Sequence, residues 1–280
     1  MEDNYEEINI DKIHKIHNEM LKEVAAFLDK NNIKYFIEYG TLLGAVRHKG
    51  FIPWDDDVDL SMPRPEYEKF MEIVRKNDCK ITDKLIVTSI ELNNSIFPFC
   101  KIYNKEYCVK EDMINIKEGE FLWIDVFPFD ALSDSDKDNQ ELFIKIMFWH
   151  KIWIIRVGTF KQIYNTSTTL IKGVIKVLFK AVLNLFSAKS IARKMRKLAN
   201  KYDYNQCDAV QNIIWTPKLY KKILKQNLNE TTTLQFEDNT YTVMKSYDNY
   251  LRTLYGDYME LPPEEKRITH LVKIWKNEEV

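Results

Sequence analysis

Glycine and proline are scarce. Seven Gly and eight Pro in 280 residues exclude collagen-like tracts, Gly/Pro-rich low complexity and long flexible linkers. Cysteine is scarce too. Cys79, Cys100, Cys108 and Cys207 form no C-x-x-C pair and no His/Cys cluster. That spacing excludes a recognisable zinc motif and reads as reduced, mostly buried thiols of a cytosolic protein. An apolar h-region is missing from the N-terminus: "MEDNYEEINI" is acidic, which argues against a secretory signal. Acidic residues are absent between Glu141 and Asp203. Residues 142–202 carry thirteen Lys/Arg and no Asp/Glu, leaving 28 basic against 42 acidic residues elsewhere. Such segregation points to an anionic partner, membrane lipid or substrate. Nucleic acid is a poor fit, because the basic segment is strongly apolar and lacks polar and aromatic interleaving.

What is present is an ordinary globular composition, with core material for one large or two small domains. Ile13, Ile16, Met20, Val24, Phe27 and Leu28 follow helical spacing, so residues 10–30 read as a helix ending at Asn31-Asn32. His14 and His17 lie near that pattern and read as surface or packing histidines. "IKYFIEY" (33–39) reads as a strand, broken at Gly40-Thr41, and "TLLGAVRH" as a short helix with Thr41 as N-cap. "DVDLSM" reads as the next strand, with Pro65 opening a helix at its first position. Further strands are expected at 84–91, 97–103 and 120–127. Residues 141–202 read as helical, and in "LIKGVIKVLFKAVLNLF" (170–186) Lys172, Lys176 and Lys180 form one narrow stripe on an otherwise apolar helix.

The stretch "GFIPWDDDVDLSM" (50–62) sets four carboxylates, Asp55, Asp56, Asp57 and Asp59, among large apolar residues. Strand alternation places Asp57 and Asp59 on one face while Val58 and Leu60 face the other. Two carboxylates about 7 Å apart repel unless neutralised, and a hard divalent cation such as Mg²⁺, with Mn²⁺ as a substitute, does so. A D-x-D alone is weak evidence. A strand–Gly-Thr–helix unit precedes this one, and its backbone N–H groups could face a phosphate. Asp125, isolated in the apolar run "FLWIDVFPFDAL", could complete a three-carboxylate site, or pair with a nearby basic group.

With these residues in view, "YGTLLGAVRHKGFIPWDDDVDLSM" resembles the signature of the LicD family, bacterial phosphocholine transferases related to the fukutin proteins. "FLWIDVFPFDAL" resembles its second block and "YLRTLYGDYMELPPEEKRITH" its C-terminal block; residues 142–240 offer little to match. The resemblance implies an α/β fold (α+β mixed sheet), a nucleotidyltransferase-like core. It places Asp57 and Asp59 at a metal-binding D-x-D and Asp125 as third metal carboxylate. It further implies transfer of a phosphorylated alcohol, phosphocholine or phosphoribitol, from a CDP-linked donor to a sugar hydroxyl, with CMP leaving.

Chemistry and resemblance together assign catalytic roles to Asp57, Asp59, Asp125 and Asp55. They assign substrate binding to Gly40, Thr41, Arg47, Asp56, Arg267 and His270. Arg47 could instead pair with the acidic cluster, and Arg267 and His270 could be solvated helix-end charges. Lys101 reads as a strand-edge lysine, Trp54 as packing, and Tyr255-Gly256-Asp257 as a turn holding the tail on the core. Three parts are expected: a catalytic core (1–141), a basic apolar helical insert (142–205) and a C-terminal segment returning to the core (206–280). The insert reads either as a buried helix with snorkelling lysines or as a helix lying on an anionic membrane through 170–201. A spanning helix fits least. The expected location is cytoplasmic, peripheral at the inner membrane face, with a glycan acceptor, free or lipid-linked. Two other readings stay open: a nucleotidyltransferase that uses NTP and releases pyrophosphate, and an inactive glycan- or membrane-binding subunit.

Overall fold

The computed structural model describes residues 9–110, 120–159, 170–215, 222–267, 269 and 273–277. Its first element, α1 (Ile10–Lys30), starts where the Asn9 side chain accepts from the Lys12 N–H, and buries Ile13, Ile16, Met20, Val24 and Leu28 along one face. The expected strand over 33–39 contracts to β1 (Phe36–Ile37). The chain turns into α2 (Tyr39–Arg47) at Tyr39, so Glu38 and not Thr41 occupies the N-cap position. β2 (Asp59–Pro63) follows, then α3 (Arg64–Lys76), which starts one residue before Pro65 and buries Tyr67, Phe70, Met71 and Val74 at helical spacing.

The remaining core strands are β3 (Leu85–Thr88), β4 (Cys100–Lys110) and β5 (Glu120–Leu132). They occur in the three expected places, though β4 starts later and runs further, and β5 continues five residues beyond the expected end. The central sheet runs β1-β2-β5-β4, with β2 and β5 parallel and the other pairs antiparallel. β3 and later β10 (Lys273–Lys276) share the far edge of β4. The far end of β5 pairs with β6 (Ala209–Gln211), which pairs with β7 (Ile223–Leu224). A hairpin, β8 (Thr231–Phe236) and β9 (Asn239–Met244), precedes α7 (Tyr247–Tyr255). Among the described residues the C-terminal segment therefore contributes β6, β7 and β10 to the main sheet.

The helical region comprises α4 (Asp136–Val157), α5 (Leu170–Leu183) and α6 (Ala188–Ala199). The boundary drawn at 141/142 falls inside α4, which begins at a Ser135 cap accepting from the Asp138 N–H. Apolar side chains of α4 and α6, including Ile146, Trp153, Ile191 and Met195, pack with Phe97, Phe99 and Phe127 of the core. A buried ion-pair network adds to this seam. Arg64 bonds Asp130, and Arg196 of α6 reaches both Glu91 (2.6 Å) and Asp130 (3.8 Å), with both guanidiniums near the Tyr67 ring. Burial alone would raise the Glu91 carboxyl, but Arg196 holds it below its usual range. Among the described residues of the insert, Arg196 and Lys180 face inward, the Lys180 ammonium donating to the Ile155 and Arg156 carbonyls at 3.1 and 2.8 Å. Those are terminal carbonyls of α4, where a cation complements the helix dipole. At Lys180 the lysine stripe is turned against α4, as in the buried-helix reading; the Lys172 side chain lies outside the described residues. Cys100 is buried and Cys79, Cys108 and Cys207 are half-buried. Among the described residues no helix is long and apolar enough to cross a membrane.

Candidate active site

The parallel register of β2 and β5 sets Asp59 opposite Asp125. Upstream of Asp59 the chain keeps alternating. Val58 and Leu60 are fully buried, while Asp55, Asp57 and Asp59 are half-buried and line one open cleft of about 270 Å³. Its other walls are Tyr39, Gly40, Leu43, Ile52, Trp54 and Tyr255. Tyr39 enters α2 with φ +44°, a left-handed conformation that costs a non-glycine residue energy and recurs at functional sites. The space over Gly40 is filled by the Asp55 carboxylate, and any side chain there would collide with it. Gly44 is required for a similar reason, since a side chain would strike the Gly50 carbonyl.

The Thr41 side chain is not among the cleft-lining residues. It is buried, and its hydroxyl accepts from the Asp59 N–H at 2.9 Å, holding the carboxylate strand against α2. Asp56 is also a correction to the expected binding set. It is 1 % exposed, on the side away from the cleft, with its charge toward His17. His17 packs α1 onto the sheet, bonded through Nε2 to the Trp123 carbonyl at 3.0 Å, and His14 stacks on Phe51.

Desolvation and the crowding of like charge together set the electrostatics of the cleft. The Asp59 carboxyl is pushed well above its usual range by burial, then by the charges of Asp57, Asp125, Asp55 and Glu38. Burial also raises Asp125, and Lys101 opposes it from 3.0 Å. Glu38, fully buried beneath the α2 N-terminus and bonded by the Tyr250 hydroxyl, is raised to about 7, chiefly by burial. Tyr255 is the unforeseen cleft residue. Although Tyr255 is 45 % exposed, desolvation at the cleft wall and the charges of Asp59, Glu38, Asp55 and Asp57 push its phenol up, so it stays a hydrogen-bond donor. It ends α7, and Gly256 (φ +73°) turns the chain away after it. The only sequence signal for Tyr255 was its place in the C-terminal block.

Lys101 is not at an edge. It lies in β4 between β3 and β5, is 4 % exposed, and sits over Trp123 (3.8 Å) and Phe97 (4.7 Å). Its register partner is Asp125, so the paired reading of Asp125 and its adjacency to Asp59 hold together. Among the described residues no carboxylate lies in hydrogen-bond range of Arg47. Its guanidinium donates to His48 Nε2 and to the Tyr258 carbonyl, both at 2.9 Å. Trp54 does more than pack: it lines the cleft with Arg47 (6.0 Å) and Arg267 (4.7 Å) over its ring. Arg267 is thereby brought from the C-terminal block to the cleft rim, where it also bonds the Pro262 carbonyl. His270 lies outside the described residues.

The donors fit a hard divalent cation: carboxylate oxygens that repel one another on one wall of an open cleft. No three His, Cys, Asp or Glu side chains among the described residues converge into a closed cage. An ion that keeps waters and takes further donors from substrate phosphate needs none.

Comparison with known proteins bears on this geometry. Residues 32–156 match the profile described as LicD/FKTN/FKRP, nucleotidyltransferase domain. The chain is 28 % identical over 253 residues to the lipopolysaccharide cholinephosphotransferase LicD of Haemophilus influenzae, covering 89 % of this chain and 90 % of that protein. It is 32 % identical over 153 residues to an uncharacterized protein of Rickettsia typhi, covering 49 % and 47 %. A 44-residue segment is 46 % identical to the human ribitol 5-phosphate transferase FKRP, 16 % of this chain and 9 % of that protein. Residues 32–156, which supply every cleft-lining residue except Tyr255, are thus similar to the LicD/FKTN/FKRP nucleotidyltransferase domain.

Proposed function

We propose that the cleft transfers a phosphorylated alcohol from a CDP-linked donor to a sugar hydroxyl of a cell-surface glycan or its lipid-linked precursor, releasing CMP. The observation that carries this reading is the convergence of Asp55, Asp57 and Asp59 on one cleft wall, with Asp125 in register beside Asp59. The activities for which the Haemophilus and human relatives are named support it, and phosphocholine is the first group to test.

In this reading Asp57 and Asp59, with Asp125 beside them, would hold Mg²⁺ or Mn²⁺. Such an ion neutralises the donor diphosphate. Arg47 and Arg267, fixed around Trp54, bind phosphate oxygens. Tyr255 donates a hydrogen bond within the cleft. Asp55, lodged over Gly40, accepts the proton of the acceptor hydroxyl as that oxygen bonds to the phosphorus of the phosphoalcohol. The phosphorus–oxygen bond to CMP breaks and CMP takes the electron pair. Catalysis comes mainly from positioning and charge neutralisation.

Asp57→Asn and Asp59→Asn are each expected to lower CMP release about a hundredfold or more, with an unchanged thermal melt. Substantial turnover by a folded variant rejects the assignment. A donor screen with CDP-choline, CDP-ribitol, CDP-glycerol and CDP-ethanolamine, with and without Mg²⁺, identifies the alcohol. The family profile's own description favours one second reading, a nucleotidyltransferase that uses NTP. Pyrophosphate release from CTP or ATP, without CMP release from the CDP-alcohols, would select it.

A further inference from the structure

α5 presents an apolar face that no described element covers. Ile175, Leu178, Phe179 and Val182 are 59, 63, 44 and 54 % exposed, and the same spacing continues into Leu185 (84 %) and Phe186 (58 %). These positions recur at i, i+3, i+4 and i+7, one side of a helix. Lys180, on the opposite side, is buried against α4 with Leu183, so the helix is inverted relative to a solvated surface helix: this ammonium points in while Ile175, Leu178, Phe179 and Val182 point out. α4 adds Ile144 (66 %) and Phe148 (58 %), and Lys151 stands exposed at the next helical position of that stripe. Single exposed apolar residues are ordinary, but a periodic cluster of this size marks an interaction surface.

We infer that this face of α5, with Ile144 and Phe148 of α4, docks onto an anionic lipid bilayer, the apolar side chains entering the headgroup boundary. Charge selects the partner. Residues 142–202 carry thirteen Lys/Arg and no acidic residue, and Lys151, Arg193, Lys194 and Lys197 are exposed. A second copy meeting the same face across a two-fold axis would oppose two such segments, which like-charge repulsion disfavours. Fourteen residues span about 21 Å, short of a bilayer core. The helix therefore lies in the interface, as amphipathic basic helices do. This inference does not depend on the reaction assigned to the cleft.

Vesicle flotation with the full chain tests it. Binding is expected to phosphatidylcholine vesicles containing about one third phosphatidylglycerol, with release by salt and weak binding to phosphatidylcholine alone. The double variant Leu178→Gln/Val182→Gln is expected to bind at least about tenfold more weakly with an unchanged melting temperature, since both positions are exposed. Lys151→Gln/Lys194→Gln/Lys197→Gln is expected to lose the preference for anionic vesicles. Failure of the wild type to float with anionic vesicles overturns the inference, as does undiminished binding by the apolar variant. So does a wild-type dimer that the apolar variant converts to monomer, which would assign the face to a second copy.

Discussion

At Lys101 the neighbours in the chain are uninformative: a lysine in "FPFCKIY" has the look of any strand residue. Its meaning comes from the antiparallel register of β4 with β5, which brings Asp125 and Trp123 to it. A buried carboxylate left without its cation is costly, about 3 kcal/mol. Lys101→Met is therefore expected to lower the melting temperature by roughly 6–12 °C at neutral pH, and Lys101→Met/Asp125→Leu to recover much of that loss. A scanning-calorimetry result showing no loss in the single variant would remove Lys101 from the site's support. Asp57 and Asp59 were legible because strand alternation is a property of the local chain. Asp56 was not separable from its neighbours by composition; the same alternation turns it to the opposite side, where it is buried near His17.

Helices with one apolar face were the most legible elements. α1 occupies the span that its spacing predicts, because 3.6-residue periodicity is written directly in the sequence. β1 was overread, since Tyr35, Phe36 and Ile37 favour a strand while Glu38 and Tyr39 already begin the turn into α2. For α5, periodicity correctly sorted lysines from apolar residues but left the direction of each face open. Direction depends on α4, whose last carbonyls bind Lys180. The packing of α1 carries a pH signature. Burial depresses His17 to about 4 from 6.5. Its contribution is fully present above pH 6.5 and is lost as pH falls toward 4, about 3 kcal/mol in all. Urea unfolding across pH 7 to 4.5 should show a shallower acid loss for His17→Gln than for wild type. A residual slope should persist from His150, likewise depressed to about 4 by burial. Identical slopes would refute the His17 assignment.

Across the whole molecule the three expected parts are interlocked. β10 pairs with β4 and β6 with the end of β5, while Val210, Ile223, Leu228 and Met244 share a core with Phe36 and Phe129. Arg196 of α6 is bound to Glu91 near the end of β3. Removing residues 206–280 would expose that core and free the β4 edge, so a chain ending at 205 is expected to give no cooperative thermal transition. A cooperative melt within a few degrees of the full chain would show the core to be self-sufficient. By itself the sequence determined the helix faces, the carboxylate alternation over 57–60 and the segregation of charge into 142–202, because each is a pattern of near neighbours with a fixed geometric period. Tertiary structure alone decided that Asp125 stands beside Asp59, that Lys101 pairs with it, that Arg267 and Tyr255 reach the cleft from the C-terminal block, and that α5 turns its apolar side outward. These relations join residues dozens to hundreds of positions apart, and only strand register and helix packing bring such residues together.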